Sequence, residues 1–251
     1  MIKISLFGAA GRMGGAILNV LPSFKNITLA HAVESADFPH TGKKIGKGMD
    51  LEHDHSHALD DIDVAIDFTW AESSITNLKF AAASHKPMVI GATGHNAEQK
   101  AHILSASKII PIVLSPNMSV GVNTMWKLIE EAASILDKDY KIDIVESHHV
   151  HKKDAPSGTA KKMIEEVGGK NKEGRWMMDD GREIEVRSIR EGDVAGDHTI
   201  TFTSPYEKLE ITHRAFSREV FAAGALKAAE WVVGKRPGLY GMSEVLDIVS
   251  S

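Results

Sequence analysis

Short apolar runs alternate with helix-like stretches along the first 120 residues of the chain. The runs are rich in Ile and Val, which is typical of buried strands. They cover residues 2–7, 27–33, 63–68, 87–90 and 109–114. Residues 16–21 show a helical pattern that ends at Pro22, and residues 79–84 resemble the end of a second helix. Strands separated by helices of this length predict a parallel sheet with helices on both faces.

The pattern changes from about residue 140. Strand-like runs dominate, and a helix-like run at 160–167 follows the first of them. The strand-like runs cover residues 141–146, 184–189, 198–203 and 207–213. The last two flank a Ser204-Pro205 turn, which predicts an antiparallel pair. An amphipathic helix at 220–233 ends at Gly234. The second half therefore indicates an α+β domain built on a mostly antiparallel sheet.

Composition narrows the class of protein. The 251 residues include 34 acidic and 29 basic side chains, for a net charge of −5, and 43% are apolar. This balance excludes disorder as the main state and argues against nonspecific nucleic-acid binding. Cysteine is absent, so disulfides, thiolate metal sites and thiol catalysis are excluded. No apolar run reaches the roughly 18–20 residues that a membrane span needs, and we expect a cytoplasmic protein without a signal peptide.

A glycine-rich turn follows the first strand and opens a helix. It consists of Gly8, Ala9, Ala10, Gly11, Arg12, Met13 and Gly14. Backbone N–H groups in such a turn, together with the helix N-terminus, suit a pyrophosphate. The spacing is G-x-x-G-x-x-G instead of the usual dinucleotide fingerprint. The turn therefore predicts a dinucleotide site, and the alternative is a glycine-rich turn without a ligand.

Glu34 ends the second strand, 20 residues after Gly14. An acidic residue in this place binds the hydroxyls of the adenosine ribose. The alternative is a solvated glutamate at a strand end. Glu34 alone favours NAD because it repels a 2′-phosphate. Ser35 and the lysines of the next loop could still accommodate that phosphate; these are Lys43, Lys44 and Lys47.

Small and polar residues follow three further strands of the predicted parallel sheet. The segments are Asp67-Phe68-Thr69, Gly91-Ala92-Thr93-Gly94 and Ser115-Pro116-Asn117-Met118. Ligands of open α/β sheets bind at the carboxyl ends of the strands. Each segment alone is more often a plain turn, but together they predict one crevice for the nicotinamide half of a dinucleotide.

Proton-transfer groups are dense between Glu146 and Ala160. Three His and two Lys lie within residues 148–153, and Ser157-Gly158-Thr159 precedes a helix. The segment offers an acid or base, cationic anchors and an anion-binding helix end. A small dicarboxylate undergoing protonation suits this combination. The alternative for any single histidine is a loop residue bonded to the backbone.

Two histidine groups raise the question of a metal. His148, His149 and His151 lack a carboxylate or cysteine at a familiar ligand spacing. His53, His55 and His57 would share one side of an extended segment and could hold Zn²⁺, but a solvated polar loop is the simpler interpretation. We expect no functional metal.

The sequence resembles the 4-hydroxy-tetrahydrodipicolinate reductase (dihydrodipicolinate reductase) family of lysine and diaminopimelate biosynthesis. The resemblance covers nearly the whole chain, and its most specific part is HHxHKxDAPSGTA. The matching segments, in family order, are GAAGRMG at 8–14, DFT at 67–69, GATG at 91–94, NMSVGVN at 117–123, ESHHVHKKDAPSGTA at 146–160, REGDVAGDHT at 190–199 and LEITHRAFSREVFAAGALKAAEWV at 209–232.

The resemblance implies a Rossmann-like dinucleotide-binding domain at 1–118 plus 219–251. It implies a substrate-binding and tetramerisation domain at 119–218. His148 would be the proton donor or acceptor and Lys152 the proton donor, while His149, Gly158 and Thr159 would bind the substrate carboxylate. The implied cofactor contacts are Gly8, Ala9, Ala10, Gly11, Arg12, Met13, Glu34, Gly91, Ala92, Thr93, Ser115, Pro116, Asn117 and Met118.

One departure concerns the cofactor. Several family members carry Arg directly after the acidic residue, where it can meet the 2′-phosphate of NADPH, and this chain has Ser35. We therefore expect use of NADH, or of both NADH and NADPH. The expected partners are a small dicarboxylate substrate and three further copies of the chain. Rival hypotheses are another Rossmann reductase and a non-catalytic NAD sensor, and residues 148–159 argue against the first.

Overall fold

The computed structural model describes residues 1–35, 44–45 and 48–248. The chain divides into two compact units. Unit 1 comprises Met1–Ser119 and Glu219–Ser251, and unit 2 comprises Val120–Arg218. Among the described residues, no helix combines the length and the apolar character needed to cross a membrane.

Strands and helices follow one another along both units. The strands are β1 (Ile2–Phe7), β2 (Ile27–Val33), β3 (Lys44–Ile45), β4 (Met49–Asp50), β5 (Val64–Asp67), β6 (Met88–Ile90), β7 (Pro111–Leu114), β8 (Lys141–His148), β9 (Lys170–Lys172), β10 (Arg175–Met177), β11 (Glu185–Arg190), β12 (Gly196–Thr203), β13 (Lys208–Ala215) and β14 (Gly238–Tyr240). The helices are α1 (Arg12–Val20), α2 (Ala71–Ala83), α3 (Ala97–Ala106), α4 (Val120–Ile135), α5 (Gly158–Glu166), α6 (Glu219–Val232) and α7 (Met242–Val245).

The described part of unit 1 contains a parallel sheet with the strand order β14-β7-β6-β5-β1-β2. Five strand ends pair in one row across it. They are Val33, Phe7, Asp67, Ile90 and Leu114. The segments that follow these strands therefore leave the sheet at the same edge, where ligands of open parallel sheets bind.

Apolar clusters cover both faces of this sheet. On one face Ile4 and Leu6 of β1 pack with Ile17 of α1 and Leu226 of α6. On the other face Phe7 packs in a cluster that includes residues of α2 and α3. Successive side chains of a strand point to opposite faces, so one strand contributes to both clusters. This arrangement confirms the predicted α/β class with helices on both sides of a parallel sheet.

Unit 2 carries a mixed sheet with the strand order β11-β8-β12-β13. β11 pairs with β8 in parallel, whereas β12 is antiparallel to both β8 and β13. The core contains Ile144 and Phe202 of the sheet with Trp126 of α4 and Met163 of α5. The predicted mostly antiparallel sheet is therefore confirmed.

Several predicted element boundaries are wrong. The helix predicted at 16–21 begins at Arg12 and ends at Val20, because Leu21–Ser23 forms a 3₁₀ turn. The strand predicted at 109–114 begins only at Pro111, since the N–H groups of Ile109 and Ile110 donate to Ala106 O and prolong the helical turn.

The strand predicted at 141–146 extends to His148. Ser147 pairs with both Ile189 and Asp197, and His148 pairs with Arg190. Pairing partners more than 40 residues away in sequence thus carry the strand into the histidine segment. The prediction also omitted α3, α4 and β14.

Candidate active site

The glycine-rich turn of unit 1 lies between β1 and α1. The N–H groups of Gly8 and Ala9 donate to Val33 O at 3.0 and 3.1 Å, and that of Gly11 donates to Gly8 O. A Cβ on Gly14 would lie 2.3 Å from Ala9 O, so α1 packs directly on the turn. Gly11 is the N-cap and has no side chain to satisfy the first N–H groups of α1. The helix N-terminus is thus suited to an anion.

Glu34 lies directly beside this turn. Its carboxylate accepts the N–H of Ala10 at 3.2 Å and the N–H of Ser35 at 3.1 Å. The residue is half-buried, and it follows β2 at the edge where the strands end. Lys44 is exposed in β3, whereas Lys43 and Lys47 lie outside the described residues.

The other predicted cofactor residues of unit 1 differ in exposure. Ala92 and Met118 are buried with apolar clusters, so their side chains belong to the core. Thr93 and Pro116 are exposed. Ser115 Oγ donates to Asn117 O at 2.8 Å and closes the turn after β7. Together with the anion-binding helix end and the Glu34 carboxylate, this row of turns fits a dinucleotide.

In unit 2, β8 places two polar residues where the strand pattern calls for apolar ones. Its alternate residues Ile142, Ile144, Glu146 and His148 are all buried. The side chain of Glu146 is fully buried, and one of its oxygens contacts Nδ1 of His148. Its other oxygen accepts a hydrogen bond from Arg190 at 2.8 Å. The buried carboxylate of Glu146 therefore contacts the predicted catalytic histidine on the side that faces the protein interior.

Ionisation of Glu146 follows from these partners. Burial by itself raises the pKa of this carboxyl, but hydrogen bonds from His148 and Arg190 outweigh burial and hold the pKa well below its usual range. Glu146 is therefore a carboxylate at neutral pH, and it presents a negative charge to His148 Nδ1.

Arg190 joins β11 to the histidine-lysine segment. Besides Glu146, its guanidinium donates to the carbonyls of Lys152 at 3.3 Å and Asp154 at 2.6 Å. The N–H of His149 donates to Val194 O at 2.9 Å, and the N–H of Lys152 donates to His149 O at 3.1 Å. One arginine thus fixes both the support of His148 and the backbone that carries Lys152.

Lys152 forms an ion pair with Asp154, with Nζ 2.8 Å from Oδ1. Burial raises the pKa of Asp154, but the hydrogen bond and the charge of Lys152 outweigh it and lower that pKa below its usual value. The Lys152 side chain is mostly buried, at 23% exposure, and its charge contributes to lowering the pKa of His198.

His198 of β12 lies against the ring of His148. The ring centroids are 5.0 Å apart and the planes are nearly perpendicular. Burial, assisted by the nearby charge of His148, lowers the pKa of His198 to about 3, so this ring is neutral. Its Nε2 lies 3.1 Å from Ser157 Oγ. Gly196 lies beside both rings. A Cβ at this position would come within 3.1 Å of His148 Nε2 and 3.6 Å of His198 Cε1.

The N-terminus of α5 completes the group. Ser157 is its N-cap, and its Oγ accepts the N–H of Ala160 at 3.2 Å. The predicted substrate residues Gly158 and Thr159 form the first turn. The carbonyl of Thr159 accepts the indole N–H of Trp126 at 3.3 Å, which attaches this turn to α4. The chain therefore holds an anion-binding helix end in a fixed position.

Hydrogen bonds and ring contacts connect most of the residues predicted for catalysis, together with several that sequence reasoning missed. The residues to which the sequence analysis gave no role are Glu146, Asp154, Arg190 and His198, whereas Ser157 lies at the helix start where it was expected. One signal was available for two of them, because Glu146 and His198 occupy buried positions of alternating strands. Arg190 carried no such signal, since only the pairing of β11 with β8 brings it to the site.

The histidines of residues 53–57 do not converge on one point. His53 Nδ1 lies 3.0 Å from Glu34 O, and His55 Nδ1 lies 2.6 Å from Asn77 Oδ1. His57 instead contacts Glu52, with Nδ1 3.4 Å from Oε2. The structure therefore does not bring these three histidines to one ion, which the sequence analysis had offered only as the less favoured alternative.

Comparison with known proteins identifies the family. A family model described as "Dihydrodipicolinate reductase, N-terminus" matches residues 2–118, and one described as "Dihydrodipicolinate reductase, C-terminus" matches residues 121–246. A 4-hydroxy-tetrahydrodipicolinate reductase of Methanocorpusculum labreanum is 45% identical over 99% of this chain and 100% of its own length. The corresponding reductase of Syntrophotalea carbinolica is 41% identical with the same coverage.

Solved structures share the fold. Dipicolinate-bound dihydrodipicolinate reductase from Paenisporosarcina sp. TG-14 superposes with a TM-score of 0.78 at 20% identity, over 99% of this chain and all of that one. Amine dehydrogenase from Mycobacterium smegmatis gives 0.67 at 12% identity, over 95% and 94%. The two family models and the full-length relatives confirm the resemblance: the chain belongs to the dihydrodipicolinate reductase family, and it is an NAD(P)H-dependent oxidoreductase that reduces 4-hydroxy-tetrahydrodipicolinate in lysine and diaminopimelate biosynthesis.

Proposed function

We propose that residues 119–218 bind the substrate and that His148 and Lys152 are its catalytic residues. The observation that carries this proposal is the buried Glu146–His148 pair, which Arg190 connects to the backbone of Lys152. Two proton-bearing side chains held by one buried carboxylate and one arginine form a preorganised acid–base site. This arrangement argues against the alternative that His148 is an ordinary solvated loop residue.

The chain's residues have distinct roles in this proposal. NAD(P)H, when bound, supplies the hydride. Lys152 gives a proton to the carbon that becomes basic after reduction. The Glu146 carboxylate faces Nδ1 of His148, which fixes the proton on that nitrogen and leaves Nε2 to exchange a proton or donate a hydrogen bond to the substrate. Neutral His198 adds no charge beside it.

The substrate carboxylate is assigned to the N-terminus of α5. N–H groups of Gly158 and Thr159 lie in its first turn, where the helix dipole favours an anion. His149 lies in the same segment as Lys152 and adds a second donor. The dihydrodipicolinate reductase from Paenisporosarcina sp. TG-14 binds dipicolinate, a planar dicarboxylate, and this supports the same class of ligand here.

Residues 1–118 with 219–251 are proposed to bind the dinucleotide. The first turn of α1, at Arg12 and Met13, would face the pyrophosphate, because Gly8, Ala9 and Gly11 use their N–H groups within the protein. Glu34 would accept hydrogen bonds from the ribose hydroxyls. We propose that the enzyme uses NADH, or both cofactors, because Ser35 supplies no fixed cation for a 2′-phosphate.

We further propose a cytoplasmic homotetramer assembled through the sheet of unit 2. Its edge strands β11 and β13 expose the apolar side chains of Ile189 and Leu209. Exposed apolar edge strands are usually covered in native proteins. Light scattering at micromolar concentration should give four times the chain mass. A monomer mass would contradict this assembly.

Titration with dipicolinate tests the substrate assignment independently of turnover. Calorimetry in the presence of NADH should show binding to the unaltered enzyme and at least about tenfold weaker binding to His149→Ala, the size of one lost charged hydrogen bond. His102→Ala, an exposed histidine of α3, is the matched control and should bind normally. Equal affinity in all three proteins would remove His149 from the substrate site.

A further inference from the structure

We propose that His31, Glu52 and His57 form a binding site for a divalent transition-metal ion in unit 1. Oε1 of Glu52 lies 2.8 Å from Nδ1 of His31, and its Oε2 lies 3.4 Å from Nδ1 of His57. One ligand atom from each residue lies within 4.8 Å of the others. The histidine rings are 5.5 Å apart and nearly perpendicular.

The spacing of these atoms suits a small ion. Around a tetrahedral Zn²⁺ with bonds of roughly 2.0–2.1 Å, neighbouring ligand atoms lie about 3.3 Å apart. The two nitrogen–oxygen distances bracket that value, although each runs to a different oxygen of Glu52. Side-chain rotations would bring one of these oxygens and both nitrogens to the same ion. Two imidazoles and one carboxylate favour Zn²⁺, Co²⁺ or Ni²⁺ over Mg²⁺ and Ca²⁺, which prefer oxygen ligands.

Backbone hydrogen bonds fix the positions of all three residues. His31 lies within β2, and the N–H of Glu52 donates to the neighbouring Ala32 O at 2.8 Å. The N–H of His57 donates to the Asp54 side chain at 3.1 Å, which closes the turn that carries it. The His57 side chain is 62% exposed, so one side of the site is open to water molecules that would complete the coordination.

A second group of three possible ligands does not offer the same site. Glu146, His148 and His198 also lie close together. The guanidinium of Arg190 already binds Glu146, and Nε2 of His198 lies against Ser157. A fixed positive charge beside the carboxylate repels a cation, and this group belongs to the active site described above.

The proposed ion would act on the segment that carries Glu34. The carbonyl of Glu52 accepts the N–H of Glu34 at 3.0 Å, and His53 Nδ1 contacts Glu34 O. Joining Glu52 and His57 to His31 through one ion would hold residues 52–57 against β2. The Glu52 carbonyl that accepts the Glu34 N–H would then be held in place as well. We therefore assign the ion a structural role beside the proposed ribose site.

The test uses untagged, full-length protein freed of metal with a chelator. Co²⁺ absorption and Zn²⁺ calorimetry should show one ion per chain. His57→Ala and Glu52→Gln should each weaken binding at least about tenfold, as expected for loss of a metal ligand. Because His57 is exposed, its replacement tests the site without disturbing the core. Zn²⁺ should raise the Tm of the unaltered protein and leave that of His57→Ala unchanged.

His102→Ala is the matched control, since His102 and Glu98 form an exposed histidine–carboxylate pair on one helix. This variant should bind like the unaltered protein, as should His148→Ala. No bound ion in the unaltered protein would overturn the proposal. So would equal affinity in His57→Ala, or loss of the ion in His148→Ala.

Discussion

Both units place the N-terminus of a helix where an anion is expected to bind, but they build these ends differently. The N-cap of helix α1 is Gly11, which has no side chain to cap the helix, and the turn before it is held by backbone N–H groups that donate to Val33 O and Gly8 O. The N-cap of helix α5 is Ser157, whose hydroxyl caps the helix and contacts His198 from a distant strand. A backbone site can be recognised in a short stretch of sequence, whereas a side-chain site depends on strand pairing.

The two sites also differ in the charge and burial of their ionisable residues. The site in unit 2 contains a buried ionised Glu146 and a buried neutral His198, both held in that state by their neighbours. The site in unit 1 has the half-buried Glu34, which accepts backbone N–H groups. We therefore expect substitutions in unit 2 to affect catalysis and pH dependence, and substitutions around Glu34 to affect cofactor choice.

The largest expected effect comes from Lys152. Lys152→Ala should lower kcat by about 10²–10⁴-fold, the usual contribution of general acid catalysis. The affinity for NADH should stay unchanged, because Lys152 belongs to unit 2. Steady-state kinetics and NADH titration measure both quantities. Lys153→Ala, which removes an exposed neighbouring ammonium, is the control and should keep its kcat. Normal turnover by Lys152→Ala would exclude this lysine as the proton donor.

His148 and His151 provide a comparison within one segment. His148 is buried against Glu146, whereas His151 is exposed. His148→Ala should reduce kcat by about 10²-fold or more, because it removes the proposed acid–base group. His151→Ala should have a much smaller effect. If both substitutions reduced kcat equally, the roles assigned within the cluster would be wrong.

Stability should depend on pH through His198. Its pKa of about 3 in the folded state lies below the ordinary value near 6.5, so the unfolded chain takes up this proton first as the pH falls. Above pH 6.5 this histidine is neutral in both the folded and the unfolded chain and costs no stability. As the pH falls from 6.5 towards 3, the free energy of unfolding decreases. Between pH 6 and 4.5 this one group should cost about 1.4 kcal/mol per pH unit.

Denaturant unfolding of His198→Gln checks this expectation. Glutamine does not titrate and can still bond Ser157, so the free energy of unfolding should fall less steeply between pH 6 and 4.5 than in the unaltered protein. His102→Gln should retain the original slope. Identical slopes in all three proteins would show that His198 becomes protonated without cost.

The sequence was sufficient for the parts of the molecule that depend on local patterns. β1 and β2 lie where the apolar runs predicted them, and the glycine turn joins β1 to α1 as expected. Helix α4 was missed, although it forms one side of the core of unit 2. Its first residues, Val120-Gly121-Val122-Asn123, are weak helix formers, so local propensity does not mark where this helix begins.

The candidate site could be predicted only in part for a related reason. His148, Lys152 and the end of α5 lie within twelve consecutive residues, so their chemistry is visible in the sequence. Arg190 lies 44 residues after Glu146, and only parallel pairing of β11 with β8 brings them together. Residues that position the catalytic groups, such as Arg190, reach the site through long-range strand pairing, and local residue patterns specify such pairing only weakly.

The smallest expected effect concerns cofactor choice and tests whether the site in unit 1 is set by one side chain. Glu34 should repel a 2′-phosphate, and Ser35 offers no cation against it. A difference of about 1 kcal/mol corresponds to roughly fivefold in kcat/KM in favour of NADH. Ser35→Arg supplies a planar guanidinium, which holds phosphate better than a flexible lysine, and should shift the preference towards NADPH. Ser35→Gln, similar in length and uncharged, is the control and should keep the original ratio. A strong NADPH preference in the unaltered enzyme would mean that the lysines following Ser35 bind the phosphate themselves.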